Sequence, residues 1–336
     1  MSERMTTTRI TTSYIPRAVR QILLACAVLA VLCGARSTGG TPVPAAKTFA
    51  TPQEAAKAWA AACEQQDTAA LVSLLGPESQ DLINSGDDAR DKARRERFAG
   101  MAKEAIDVRP DPAHTGRYLI YVGKQEWPMP IPIVQTKDGY EFDVAAGKAE
   151  IIVRRVGRNE LSAIEFLREF VNAELEFAYS DLNQNGMRDY SQQIRSTPGK
   201  HDGLYWEAEE GQPESPLVAM IERVQDEGYQ VPEKDQPFSY RGYVFRILKA
   251  QGPNAPDGAR EYVVRGDMIG GFAMVAYPEE YGVTGVKTFV VNQSGVVRER
   301  DLGAQTKTIG AAMKMYNPGK AWNESPKEDS SEEAQP

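Results

Sequence analysis

Residues 159–178, Asn159-Glu-Leu-Ser-Ala-Ile-Glu-Phe-Leu-Arg-Glu-Phe-Val-Asn-Ala-Glu-Leu-Glu-Phe-Ala178, decide how this chain is divided. Leu161, Ile164, Leu167, Val171, Leu175 and Ala178 recur at three- and four-residue steps, the spacing of one face of an α-helix. Asn159 is placed to cap that helix. Glu160, Glu165, Glu169 and Glu174 read as its solvated side. Helix signals followed by short strands precede this stretch, and strand signals dominate after it. The long helix therefore bridges two α+β units, expected at 49–147 and 148–316.

Outward toward the N-terminus, Thr51-Pro52-Gln53-Glu54 is a helix start, with a hydroxyl cap, a proline in the first turn and a glutamate three residues on. Ala55, Ala56, Trp59, Ala60 and Cys63 share one face of that helix. Asp67 caps a second helix through Leu71, Leu74 and Leu75, ended by Gly76-Pro77. A charged helix over Asp88 to Glu104 turns Ala93, Phe98, Met101 and Ala102 inward. Tyr118–Val122 reads as a strand. In Trp127–Ile133, prolines 128, 130 and 132 alternate with Trp127, Met129, Ile131 and Ile133 on one face, which predicts an edge strand lacking donors. A Lys137-Asp138-Gly139 turn leads into Tyr140–Asp143. Helices followed by a curved antiparallel sheet are analogous to a cystatin-like or NTF2-like cone.

Outward toward the C-terminus, Tyr243–Leu248 and Glu261–Arg265 alternate, and Phe272–Tyr277 and Lys287–Val291 are apolar runs. Asn292–Gly295 turns the last of these into Val296–Arg298. Residues 317–336 end in NESPKEDSSEEAQP and are expected to be an acidic, disordered tail.

The chain has 336 residues, 41% hydrophobic and 26% charged, the composition of a soluble globular protein of two units. Its first stretch has another purpose. Arg4, Arg9, Arg17 and Arg20 precede the 11-residue apolar run Ile22–Leu32, and small residues follow. Residues 1–35 read as a secretory signal cleaved near Ala35, and 36–48 as a polar linker. The run is too short to span a membrane. Lipidation at Cys33 or Cys26 is the alternative fate, but Leu32 fits poorly before Cys33 and Cys26 lies too early in the run. The expected location is periplasmic or secreted.

Signal removal takes four Arg and one Glu, leaving 35 basic and 46 acidic residues and a net charge of −11. That balance argues against a basic nucleic-acid footprint and disfavours anionic lipid. Cys63 alone would remain among the cysteines, so no intrachain disulfide forms, and it reads as a small buried helix residue.

Several separated phrases carry a family resemblance: Trp127-Pro-Met-Pro-Ile-Pro132, Gly157-Arg-Asn-Glu160, Asp202-Gly-Leu-Tyr-Trp206, Gly242-Tyr-Val-Phe-Arg-Ile247, Ala250-Gln-Gly-Pro253, Met268-Ile-Gly-Gly-Phe272 and Tyr281-Gly-Val-Thr-Gly285. Together they resemble a bacterial family of exported proteins known as domain of unknown function 2950. The match runs from about Phe49 to Trp322 and carries no assigned activity. The second half also resembles the C-terminal part of type IV pilin and pseudopilin subunits, through Phe177-Ala-Tyr179, Gly242-Tyr-x-Phe-Arg246, Ala276-Tyr-Pro278 and Thr284-Gly285 with the strand after it. The pilin processing motif Gly-Phe-x-x-x-Glu is missing before the apolar run.

No catalytic set stands out. His114 and His201 lie in polar loops, there is no His-Glu-x-x-His or Gly-x-Ser-x-Gly, and Gly266–Gly271 lacks the Lys-Ser/Thr of a phosphate loop. Arg154, Arg155, Arg158 and Glu160 form a charge cluster that reads as an ion-pair network or as a site for a small anion. Tyr205 and Trp206, with Tyr190, Tyr240 and Tyr243, read as sheet-packing aromatics or as a groove for glycan or peptide. Residues 180–193, SDLNQNGMRDYSQQ, hold one more pattern. Asp181, Asn183, Asn185, Met187 and Asp189 occupy positions 1, 3, 5, 7 and 9 of a calcium loop, with Gly186 at 6 and Gln192 where a bidentate glutamate belongs. With two carboxylates its affinity would be weak, and the same residues make a good metal-free turn. The leading expectation is a non-catalytic binding or assembly factor acting on an envelope protein or polymer. The alternative is a carboxylate-dependent hydrolase of an envelope polymer, working at an inter-domain cleft.

Overall fold

A computed structural model describes residues 46–84, 88–208, 211–232 and 236–326. The expected signal at 1–35 with Cys26 and Cys33, most of the 36–48 linker and residues 327–336 of the expected tail lie outside the described residues. The chain is α+β, with helices and antiparallel sheets in each of two compact units that divide between Val153 and Arg154. Among the described residues no helix is long and apolar enough to cross a membrane.

In the first unit, helix α1 is Pro52–Glu64, begun as its sequence requires. Thr51 Oγ1 accepts from the Glu54 N–H and Glu54 reaches back to the Ala50 N–H, so two otherwise orphaned donors are satisfied. Helix α2 is Thr68–Leu75, with Asp67 accepting from the Ala70 N–H at 2.9 Å. Helices α3 (Gln80–Ile83) and α4 (Asp88–Glu104) follow. Ala93, expected inside α4, is exposed, and Ala99 is buried beside Phe98 instead. The sheet comprises β1 (Ile106–Pro110), β2 (Arg117–Val122), β3 (Trp127–Pro128), β4 (Ile133–Thr136) and β5 (Gly139–Phe142). Trp59 packs between Phe98 and Phe142, with ring centroids 6.3 and 5.6 Å away.

The proline segment bears out the edge-strand expectation in part: Trp127–Pro128 pair on one side only, with β2, whereas Ile133 enters a strand with two neighbours. The order is β1-β2-β4-β5, with β3 also paired to β2, so β4 has a neighbour on both sides. Tyr121 faces Pro128 and Tyr118 faces Ile133, so Met129–Pro132 bulge out opposite only Leu119 and Ile120. Pro130 and Pro132 sit where the ladder is already interrupted, and Met129, just before them, donates to the Ile120 carbonyl. The alternation did place Met129, Ile131 and Ile133 in the core. The next helix passes directly over this bulge. A Cβ at Gly147 would lie 2.7 Å from Ile131 Cγ1, so only glycine permits the approach.

That helix, α5, runs Val144–Ser180, 37 residues through the point where the units divide. Its cap is Asp143, which accepts from the Ala146 N–H at 2.9 Å. Asn159, expected as the cap, lies mid-helix and donates its side-chain amide to the Thr284 carbonyl at 2.8 Å. The inward stripe is also rotated from expectation. Phe166, Phe170, Ala173 and Phe177 join Ile164, Leu167, Val171 and Ala178 inside, while Leu161 and Leu175 are 64% and 44% exposed.

The second unit lays this helix against a six-stranded antiparallel sheet. The sheet holds β6 (Phe238–Tyr240), β7 (Tyr243–Leu248), β12 (Ala273–Pro278), β13 (Lys287–Asn292), β14 (Arg298–Asp301) and β15 (Asn323–Glu324), in the order β15-β14-β13-β12-β7-β6. Small pairs β8 (Ala250–Gln251) with β9 (Arg260–Glu261), and β10 (Val263–Val264) with β11 (Asp267–Met268), lie between β7 and β12 in the chain. Helix α6 is Val218–Asp226 and α7 is Thr306–Ala312. Every residue of β12 is buried, and Phe166 stacks within 4.4 Å of Phe245 and 4.9 Å of Phe238. Residues 317–326, expected to be disordered tail, are folded. Strand β15 pairs with β14, Trp322 packs on the core, and Arg298 pairs with Glu324 at 3.1 Å. One tryptophan and a short strand were hidden by the acidic composition around them.

Candidate functional site

Two of the four glutamates expected on the solvated side of α5 turn inward. Glu160 Oε1 accepts from the Val286 and Lys287 N–H groups at 2.9 and 3.0 Å. Burial pushes its carboxyl above the usual carboxylate range, against the pull of those two donors. Glu174 is 0% exposed. Its Oε2 accepts from the Ser191 N–H at 2.8 Å, while Oε1 has no partner. Desolvation pushes this carboxyl well up, the Ser191 N–H opposes that, and the charge of Asp189 adds to it.

Asp189 closes the loop that follows α5, and the loop folds as an ordered set of side-chain turns. Asp181 accepts from the Asn185 and Gly186 N–H groups, and Asn185 Oδ1 accepts from the Met187 N–H at 2.8 Å. The side-chain amides of Asn183 and Asn185 both donate to the Asp189 carboxylate at 3.1–3.3 Å. Gly186 takes φ +76°, the left-handed turn expected of it. The structure therefore brings Asp181, Asn183, Asn185 and Asp189 together. Gln192 points elsewhere, its amide donating to the Gly266 carbonyl at 2.7 Å. Among the described residues no three His, Cys, Asp or Glu side chains gather closely enough to hold a metal by themselves.

Past this loop the chain forms one wall of a groove of about 200 Å³ in the second unit. The wall is Gln192–Arg195, and the other side is Gln236, Pro237, the β7 residues Arg246 and Ile247, and Lys249 just after that strand. Strand β6 pairs only with Tyr243–Phe245, so among the described residues Arg246–Leu248 have β12 on one side and no strand on the other. Pro237, which lacks an N–H, precedes β6. The wall is pinned from behind. Tyr205 N–H donates to the Ile194 carbonyl at 2.8 Å, and Asp202 accepts from Gln193 Nε2 and from Thr197 N–H, each at 2.7 Å.

The remaining sequence candidates are dispersed. Arg154, Arg155 and Arg158 stay on α5, but Glu160 lies about 200° around the helix from Arg158 at 100° per residue and faces Val286. Tyr205 and Trp206 are buried, and Trp206 Nε1 donates to the Pro213 carbonyl while His201 stacks on its ring at 4.4 Å. None of these six lines the groove. His114 bonds Asp111 at 2.8 Å in an exposed turn. Sequence reasoning missed Glu174 and the groove. A glutamate four residues after Phe170 and three before Phe177 was the available signal for the first. The second depends on where β6 stops.

No curated protein and no solved structure matches the chain, so the pilin-like resemblance of the second half gains no support from them. A family model does match, over residues 46–325, which takes in both units and the β15 strand. The chain belongs to the family described as protein of unknown function (DUF2950).

Proposed function

We propose that this is an exported envelope protein that works by binding, and that the groove beside β7 takes an extended, acidic segment of another polypeptide. The observation that carries this reading is the half-paired strand: among the described residues Arg246–Leu248 present one side without a neighbouring strand, across from the pinned segment Gln192–Arg195. An added strand gains affinity from main-chain hydrogen bonds and selectivity from the side chains around it. Here those are the Gln236 amide and the cation Lys249, with Arg195 beside them already paired to Glu207, and the cations favour acidic residues. A glycan fits less well, because the floor rings Phe238 and Phe245 are buried and offer no stacking face. Export rests on the basic and apolar pattern of residues 1–35.

The test is binding of the purified protein to an array of extended peptides, repeated with Gln236→Trp and Lys249→Glu. Acidic peptides should bind, and each substitution should weaken them about tenfold or more, on the order of 1.4 kcal/mol. Absence of peptide binding by the wild type, or binding indifferent to both substitutions, overturns the groove reading. Turnover of a purified envelope polymer would favour the hydrolase alternative instead.

A further inference from the structure

We propose that the hollow between β14, α7 and the segment after α7 binds a small amphipathic carboxylate, a fatty acid with its chain in the hollow and its head group on Arg300 and Lys314. The hollow holds about 320 Å³ within the second unit and shares no residue with the groove beside β7. Leu302, Ile309, Met313, Met315 and Trp322 supply its apolar walls. These side chains are not closed into the core: Ile309 and Met315 are 38% and 42% exposed, and the other three are half-buried. The walls stand on fixed elements. Arg246 donates to the Gly310 and Met313 carbonyls at 3.1 and 3.3 Å, which satisfies the end of α7, and Met313 there is extended. Tyr316, fully buried, ties the following segment to β8 through its N–H on the Ala250 carbonyl at 2.9 Å. Trp322 comes back in a turn, its N–H donating to the Gly319 carbonyl at 3.0 Å. Pre-formed apolar walls with a few placed charges are the usual make-up of a small-molecule site.

The charges around the hollow select the head group. Among the described residues Arg300 and Lys314 line it, no carboxylate does, and neither cation has a side-chain partner. Other cations nearby are already used: Arg298 pairs with Glu324 at 3.1 Å, and Lys287 with Glu299 at 3.8 Å. The acidic residues of β14 are turned away, because Glu299 and Asp301 alternate with Arg298 and Arg300 along the strand. On that other face Asp301 accepts from the Tyr281 hydroxyl at 3.3 Å. Two unpaired cations beside open apolar walls, on a chain of net charge −8, complement both halves of an amphipathic anion. Arginine and lysine give a carboxylate charge-assisted hydrogen bonds. Met313 and Met315, unbranched and adaptable, suit an aliphatic chain of no fixed shape. A membrane surface fits less well, since attraction to anionic lipid grows with the number of clustered cations and only two stand here. This inference is independent of the peptide groove.

The test is calorimetry of the purified protein with octanoate, decanoate and dodecanoate below their micelle concentrations, beside decanol, decyltrimethylammonium and phosphatidylglycerol vesicles. Decanoate should bind, and affinity should rise about fourfold per methylene, the gain from burying one CH₂, until the chain outgrows the hollow. Lys314→Glu should weaken decanoate about tenfold or more and leave decanol unchanged, a difference that misfolding would not produce. Met315→Asp, at an exposed position, should weaken both. The proposal is overturned by no decanoate binding in the wild type, by binding equal in wild type, Lys314→Glu and Met315→Asp, or by tighter binding of the ammonium. Binding to the vesicles alone also overturns it and makes the hollow a membrane contact. So does a wild-type dimer that Met315→Asp turns into monomers, which assigns the walls to a second copy of the chain.

Discussion

Phe166→Ala and Leu161→Ala lie five residues apart on α5, and together they test the orientation of the helix that organises the second unit. Phe166 is fully buried, with the rings of Phe245 and Phe238 centred 4.4 and 4.9 Å away. Truncating a buried phenylalanine costs about 3–5 kcal/mol, through lost transfer energy and the cavity left behind. Losing two ring contacts, each worth about 0.5–1.5 kcal/mol, places this site in the upper part of that range. For a unit of this size about 4 kcal/mol corresponds to a fall in melting temperature of roughly 8–16 °C. Leu161 is 64% exposed, and alanine is the better helix former, so its truncation should change stability by less than about 0.5 kcal/mol. Scanning calorimetry of the two variants beside the wild type reads both effects. Equal destabilisation, or a larger loss at Leu161, would mean that the inward stripe is the one the bare three-and-four spacing predicts, and the core described above would be wrong.

Two further expectations concern single titratable groups. Burial pushes the Cys63 thiol up to about 12, with the nearby Arg95 opposing this weakly, so the folded protein should not react with a thiol reagent at pH 8. Full reaction should appear only in denaturant, and rapid labelling of the native protein would contradict the burial of that face of α1. Glu160 has its pKa raised by burial, so the folded state holds its proton to higher pH than the unfolded state does. Its contribution is therefore complete below the unfolded value of about 4.3 and is lost as pH rises through the folded value. Glu160→Gln, which keeps an acceptor for Val286 and Lys287, should gain stability over wild type as pH rises from about 4 to 7. Melting curves in which the difference between the two proteins does not change with pH would refute the assignment.

Local rules recovered the N-terminal helices because their information is local. Thr51 with Glu54, Asp67, and the Gly76-Pro77 stop are each decided within four residues, and the structure uses them as caps and breaks. The α5 start was misplaced because Asp143, its real cap, sits at the end of a strand pattern, and Gly147 and Gly157 break up the helical signal. Gly147 is there for Ile131, a contact between a helix and a bulge that spacing along the chain does not encode. The proline strand was read only in part for a related reason. Alternation identifies which side chains share a face, and Met129, Ile131 and Ile133 obeyed it. Missing donors identify where a ladder is interrupted, and an interruption arises at a bulge inside a sheet as readily as at its edge.

The site was half legible for the same reason. Asp181, Asn183, Asn185, Gly186 and Asp189 announce a loop of oxygens, because turn chemistry is local and each of them is used in it. Glu174 did not announce itself, since Glu160, Glu165, Glu169 and Glu174 are one residue type on one helix. Two of them remain on the surface, Glu165 pairing there with Arg223 at 2.5 Å, while Glu160 and Glu174 meet main-chain donors from Val286 and Ser191. Helical phase separates them once the true core stripe is known: Glu174 is one turn from Phe170 and Phe177, whereas the stripe drawn through Leu161 and Leu175 turns it outward. The misreading of two leucines and the loss of the buried glutamate are thus a single error. Polar residues carry the functional signal here only after the apolar face has been oriented correctly, and that orientation is set by the rings of Phe238, Phe245 and Phe272, about 70 to 100 residues downstream.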